Sequence, residues 1–543
     1  MAGKVEDLTV LVVENQSNMR TQLRNMLAMC GITKLQAAQS AGTAIRKLRD
    51  EVFDIILCEY HLGEGQDGQH FLEDIRNHHL IPLSTLFIMV TGERSYERVV
   101  GAAELAPNDY ILKPFAPDLL RNRLERALNK REAFMHAWQL IEAGNAADAI
   151  TACEEGELKY PAYAIDFLRL RAELLANTGR AEDAQAVYEK VLERRAVPWA
   201  KLGLAKALHM RKRYDEAEQV LIGLLNESEQ YLDAWDWLAK TREAVGALAE
   251  ARAALEKASE LSPHTLRRMR RIGEVALELG DLETAERTLN EVVRKGKYSD
   301  FRDPEDHVKL VKAQLGVGAP DRATATMRDL EKSMQGLPKT ELCKALSSAM
   351  VFAQQGDTVK ASEAAERAVN LLDPRLGATS SLKKDLAKVC IEQKLDAQAA
   401  DVVMDIMRNA PDDAAVDGVT KMLGDLGRSE LGNHLAQKMK TEVRDMMGEG
   451  ARMAQRGDFE GAVEHMLEAV RRMPGNTMVL YNAALALLKY IEHCGWEPHH
   501  AEQARGLIDR LQKADPGNPK LGALHLYFDG LVKRFGVRGD KRA

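Results

Sequence analysis

The feature that most constrains this chain is a spacing. Alanine recurs at Ala149, Ala184, Ala217, Ala251 and Ala285, at intervals of 35, 33, 34 and 34 residues. Glycine stands five positions earlier in four of the five cases, at Gly144, Gly179, Gly246 and Gly280, while the run through Lys212 and Arg213 keeps the phase of Ala217 without one. Apolar residues follow each alanine four and seven positions on, the rhythm of a helix face. Glycine lets a chain reverse between two helices, a small residue lets them cross closely, and larger side chains fill the gaps. One such helix pair cannot bury its apolar face alone, so successive pairs must stack. The spacing predicts an all-α superhelical solenoid.

The phase continues more loosely downstream. Gly318/Ala323 and Gly356/Ala361 follow at spacings of 38, a further pair surrounds Ala399, and Gly427/Gly432 marks a degenerate one. Gly457/Ala462, with Ala469 and Pro474, restores the pattern, and residues 477–536 supply a long pair and an amphipathic closing helix. The phase predicts roughly ten or eleven helix pairs, with a frayed tail after them. Trp235, Ala239, Gly246, Ala251, Leu255, Ala258 and Pro263 carry the strongest stretch, which resembles tetratricopeptide repeats. That resemblance implies a scaffold binding a protein partner along its concave face. Neighbours on a helix face different ways, so Trp235 and Trp237 are expected to divide between core and surface. His493, Cys494, His499 and His500 fit no standard zinc spacing. Tyr481-Asn482 lacks the lysines and asparagines in adjoining repeats that a carboxylate clamp needs.

Residues 1–130 have a different rhythm. Strands are expected at Leu8–Glu14, Leu35–Ala38, Ile55–Glu59, Thr85–Val90 and Asp109–Leu112. Helices are expected at Ser17–Met29 (Ser17 as N-cap, Gly31 as stop), Ala41–Arg49, Gly68–Asn77, Ser95–Glu104 and Ala116–Lys130. Apolar strands alternating with amphipathic helices mean a parallel sheet covered on both faces. The strands end in polar residues, and parallel strand ends share one edge, where α/β proteins place their chemistry. Glu14, Asn15, Glu59, Thr91 and Lys113 should therefore converge.

That set, in that order, resembles the receiver domain of two-component response regulators, a flavodoxin-like five-stranded α/β fold. The resemblance puts the phosphoacceptor position on Glu59 and the acidic pocket on Glu14, Asn15 and Glu59. It puts the switch hydroxyl on Thr91, the switch aromatic on Tyr110 and the salt-bridging lysine on Lys113, with Lys113-Pro114 cis. Three departures matter. The acceptor is glutamate, whose extra methylene moves the oxygens by roughly 1.5 Å, enough to spoil in-line attack where positioning supplies most of the catalysis. The pair Glu14/Asn15 has one carboxylate, so Mg²⁺, which wants several oxygen ligands, is expected to bind weakly if at all at Glu14 and Glu59. The loop Leu62–Gly68 is one residue longer than the family's, with Gly63 in place of proline. Neither Asp54, about 16 Å away along the strand, nor Asp67, with no lysine in view, offers a substitute acceptor.

The chain thus reads as a multidomain protein, a degenerate receiver over 1–130 followed by a repeat array over 131–543. Composition narrows its work. The 543 residues exceed one compact core. A net charge of −7 argues against nucleic-acid binding, and no run of about 18 apolar residues suggests a membrane span. Six scattered cysteines and a start with no signal-peptide pattern point to the cytoplasm. The expected role is that of a non-enzymatic bacterial auxiliary response regulator. Its implied partners are a histidine kinase, a phosphotransfer domain or another response regulator; a homodimer is allowed. The rival readings are a conventional phosphoryl-accepting regulator and a scaffold for a motility or secretion assembly.

Overall fold

The computed structural model describes residues 5–63, 67–92, 107–262, 265–297 and 302–536. The helix expected over Ser95–Glu104 and the C-terminal tail lie outside them. Five strands form one parallel sheet: β1 (Thr9–Val13), β2 (Lys34–Ala38), β3 (Ile55–Glu59), β4 (Leu86–Thr91) and β5 (Asp109–Leu112), in the order β2-β1-β3-β4-β5. Side chains alternate across a strand, and the sheet therefore has two apolar faces. Val10, Val12, Ile55, Leu57, Ile88 and Val90 pack on one side with α1 (Ser17–Met29) and α4 (Pro117–Glu142). Leu11, Val13, Ile56, Cys58, Phe87 and Met89 pack on the other with α2 (Ala41–Asp50) and α3 (Gly68–Asn77).

Three local expectations are corrected. Gln16, not Ser17, is the N-cap of α1, and its amide is satisfied by Glu14 Oε1 at 3.0 Å. Thr85 precedes β4 and donates its hydroxyl to the Phe53 carbonyl. The helix expected to end at Lys130 runs on to Glu142. Arg131 on that extension reaches Asp54 at 2.7 Å, and Glu142 accepts from the Leu83 amide at 2.8 Å. Residue 130 therefore lies within a helix.

Beyond α4 the described residues are helical, arranged as antiparallel pairs. The pair of helices at Leu232–Ala244 and Leu248–Leu261 shows the device: Gly246, at φ +79°, makes the reversal, and Ala251 is fully buried at the crossing. Where the phase lacks glycine, lysine adopts the same left-handed conformation, Lys212 at φ +59° and Lys394 at φ +61°. The degenerate pair at Gly427/Gly432 is where a 27-residue helix, Ser429–Gln455, spans two helical positions without a break. Trp235 and Trp237 are both half-buried, so the expected split between core and surface does not occur. Trp235 donates to the Glu229 carbonyl, and the ammonium groups of Lys206 and Lys240 both lie over the Trp237 ring.

Two compact units divide the chain: Met1–Ala176 with Ala181–Arg302, and Asn177–Arg180 with Asp303–Ala543. The first holds the sheet and the early helix pairs. The second has a continuous apolar core from Val308 to Leu531. Among the described residues no helix is long and apolar enough to cross a membrane.

Candidate functional site

The strand registers bring the polar ends together. Val13 pairs with Cys58, Glu59 with Val90, and Thr91 with Leu112, so Glu14, Glu59, Thr91 and Lys113 fall at one edge of the sheet. The Lys113 amide donates to the Thr91 carbonyl at 2.7 Å, and Lys113-Pro114 is cis. Thr91 is fully buried. It lines a cleft with Asn15, Gln16, Glu59, His61 and Gly92.

The centre of this edge is an ammonium held by two carboxylates. Lys113 Nζ lies 2.7 Å from Glu14 Oε2 and 2.5 Å from Glu59 Oε2. The remaining oxygens are also engaged. Glu14 Oε1 accepts from the Gln16 amide, and Glu59 Oε1 accepts from the amides of Tyr60 at 2.6 Å and His61 at 3.2 Å. Glu14 is 1% exposed and Lys113 14% exposed, so the attraction operates largely out of water, where it is strongest. Arg20 donates to the carbonyls of Glu14 at 2.7 Å and Asn15 at 2.9 Å, fixing the loop from the outside.

The two described ends of the loop after Glu59 are tied to each other. His61 and Asp67 form an antiparallel bridge, and the Gly68 amide donates to the Tyr60 carbonyl at 2.6 Å. Gly68 has no substitute: an added Cβ would stand 2.5 Å from the Glu59 carbonyl and 2.9 Å from Met89 Sδ. Asp67 caps α3 through the His70 amide at 2.7 Å. Burial pushes the Asp67 carboxyl up, against the His70 and Gln69 amides, which favour its charged form.

The other candidates are dispersed. Tyr110 is half-buried against the core on the α2–α3 side. Asp54 sits at the opposite edge. Burial acts to raise its pKa, but the Thr9 amide and Arg131 outweigh it and leave the carboxyl below its ordinary range. His493 stacks on Phe459 at 4.4 Å, while His500 meets Glu497 at 2.8 Å. Among the described residues no group of three or more His, Cys, Asp or Glu is placed to hold a metal ion. Gln16, Arg20, His61 and Asp67 were not singled out as site residues in the sequence. Their parts are played by backbone geometry and distant partners, for which a linear pattern carries no signal.

Comparison with known proteins agrees with this geometry. Residues 10–125 match the response regulator receiver domain, and residues 179–240 and 238–300 match tetratricopeptide repeats. The chain carries a receiver domain followed by tetratricopeptide repeats. The receiver is 29% identical over 126 residues to chemotaxis protein CheY-3 of Vibrio cholerae, covering 23% of this chain and 95% of that one. It is 28% identical over 124 residues to chemotaxis protein CheY of Pseudomonas aeruginosa, covering 23% and 98%. Among solved structures, a CheY-like receiver domain protein from Methanospirillum hungatei is 25% identical, with a TM-score of 0.21, over 23% of this chain and 98% of that one. A tetratricopeptide repeat protein from Parabacteroides merdae is 14% identical, with a TM-score of 0.32, over 48% and 97%.

Proposed function

We propose that this receiver–repeat protein is an auxiliary response regulator of a bacterial two-component system that works by protein contact, without accepting phosphate. The observation that carries the reading is the engagement of Glu59: Oε2 on Lys113 at 2.5 Å, Oε1 on two backbone amides. A phosphoryl acceptor needs a carboxylate oxygen free to attack in line. Mg²⁺ fits the residues present poorly, because Glu14 and Glu59 are the two carboxylates among the described residues at this edge and both are already held by the Lys113 ammonium. Six-coordinate Mg²⁺ would have to displace that ammonium and find further oxygen ligands.

The repeats belong to a class that grips proteins along a concave face. A histidine kinase, a phosphotransfer domain or another response regulator is the partner a receiver-bearing scaffold fits. Receivers and such repeats are typically non-enzymatic. A cytoplasmic site of action goes with partners of that kind.

The test is direct. The full chain is incubated with Mg²⁺ and acetyl phosphate, or with a purified phosphorylated kinase domain, and its intact mass is measured. No added phosphoryl group is expected, and none should appear on titrating Mg²⁺ upward. A phosphoryl adduct that maps to the peptide containing Glu59 and is discharged by hydroxylamine would overturn the proposal.

A further inference from the structure

Helix pairs in a stack ordinarily touch only the pairs beside them. Three successive pairs of the second compact unit depart from that pattern: Glu305–Gly316 with Pro320–Ser333, Thr340–Gln354 with Thr358–Asn370, and Ser380–Glu392 with Asp396–Arg408. The first reaches the third directly, across the middle one. Lys312 Nζ lies 2.6 Å from Asp385 Oδ1, 73 residues on. Glu305 accepts twice from Thr379, Oε1 from its amide at 3.1 Å and Oε2 from its hydroxyl at 2.5 Å. Asp385 is 6% exposed and Glu305 1%, so either carboxylate is costly to leave alone.

The middle pair is tied in by the same carboxylate. Lys339, whose left-handed backbone opens the helix Thr340–Gln354, holds Glu305 Oε1 at 2.9 Å and Asp303 Oδ2 at 3.0 Å. Cys343 stands one turn on, its amide donating to the Lys339 carbonyl at 2.8 Å. The helix Thr340–Gln354 packs against the first helices of both flanking pairs, and its Cys343 and Ser347, one turn apart, are fully buried. Among the described residues the Ser347 hydroxyl has no hydrogen-bond partner, a burial penalty that exposure to water would relieve. The charged contacts favour this closed arrangement, and Ser347 opposes it.

We propose that Lys312–Asp385 and Glu305–Thr379 form a clasp between alternate helix pairs. Closed, it buries the face of the helix Thr340–Gln354 that carries Cys343 and Ser347. Open, it leaves the three pairs joined only as neighbours and exposes that face. Lys312 is the moving part: its side chain is long and 36% exposed, whereas Asp385 is enclosed. Because the stacking of successive pairs sets a solenoid's curvature, the clasp is a switch of curvature over residues 303–408. It stands whether or not the receiver accepts phosphate.

Cys343 reports the open state, because alkylation needs an accessible thiolate. The full chain is treated with iodoacetamide and the rate at each cysteine is read by peptide mass, with exposed Cys494 as reference and buried Cys153, in the first unit, as control. Lys312→Met keeps the stem and removes the charge; Asp385→Asn removes its partner. Each is expected to speed labelling of Cys343 about tenfold, the scale of one lost charge-assisted hydrogen bond. Cys153 should not change, and the double variant should be no faster than either single one. A Cys343 rate unchanged in both single variants, one that rises only in step with Cys153, or additive effects in the double variant would overturn the clasp. Should a variant fail to fold, the wild-type chain decides. Raising NaCl to about 1 M screens the partly exposed pair and is expected to speed Cys343 several-fold relative to Cys494; a rate indifferent to salt contradicts the proposal.

Discussion

Glu59 is satisfied at both oxygens, and that makes its charge a structural element as much as a chemical one. Glu59→Gln keeps an acceptor for the amides but removes one of the two anions on Lys113. We expect a loss of about 1–3 kcal/mol in receiver stability, since the pair is largely buried and the neutral amide retains part of the hydrogen bonding. Urea unfolding followed through the receiver measures it, and a loss under about 0.5 kcal/mol would show the pair to be idle. Glu59→Asp withdraws the carboxylate by one methylene and should weaken the same contact. At the other edge, Arg131→Ala frees Asp54 from its cation. Half-buried Asp54 keeps Thr9 as a donor, and the expected cost is about 1–2 kcal/mol. The lowered Asp54 pKa should move back toward the ordinary carboxylate value, as NMR titration would record.

Helix reversals are the array's repeated element, and their energetics can be read one turn at a time. Lys212 and Lys394 hold left-handed backbone where other turns use glycine, and that conformation costs a side-chain-bearing residue about 1 kcal/mol or more. Lys212→Gly should stabilise the chain by about 0.5–1 kcal/mol, after the extra freedom glycine has when unfolded is deducted. A fall in the urea midpoint would contradict this. The neighbouring helix carries a second testable feature. His209 sits against Thr241, with Tyr214 and Trp237 edge-on, and burial, then the charge of Lys240, hold its pKa down at about 4. The folded imidazole refuses a proton that the unfolded one takes near pH 6.5. Stability is therefore full above about pH 6.5 and falls as pH drops toward 4, by at most about 3 kcal/mol and less with solvent screening. Comparing urea midpoints at pH 7 and pH 5 for wild type and His209→Gln isolates the term, which the variant should lose.

At the scale of the molecule, receiver and array share a helix. α4 contributes Leu120 and Leu124 to the receiver core and Phe134 and Ala137 to the first helical core. Phe134 stacks on Phe167 with ring centroids 3.9 Å apart. A cut at residue 130 would sever that helix and discard the Arg131–Asp54 and Glu142–Leu83 contacts. A receiver fragment ending at residue 143, in the turn after α4, should melt several degrees above one ending at 130, each lost kcal/mol being worth about 3–6 °C at this size. Equal melting points by calorimetry would mean that the shared helix contributes nothing to the receiver.

What the sequence determined by itself was local and periodic. The bounds of α1, β3, α3 and β5 follow from apolar rhythm and punctuation, and the strand ends at Glu14, Glu59, Thr91 and Lys113 follow from parallel topology. Repeat phase located the reversals, because one must occur in each repeat, but that Lys212 and Lys394 take left-handed backbone there is seen only in the structure. Tertiary structure decided the rest. No pattern near Glu59 reveals that both its oxygens are occupied, since Tyr60 and His61 supply backbone amides that every sequence has. No pattern near Glu73 points to Thr265, 192 residues away, whose hydroxyl stands 3.5 Å from its carboxylate. Periodicity reports which face of an element is buried, whereas the identity of what buries it depends on how stacked repeats return the chain through space.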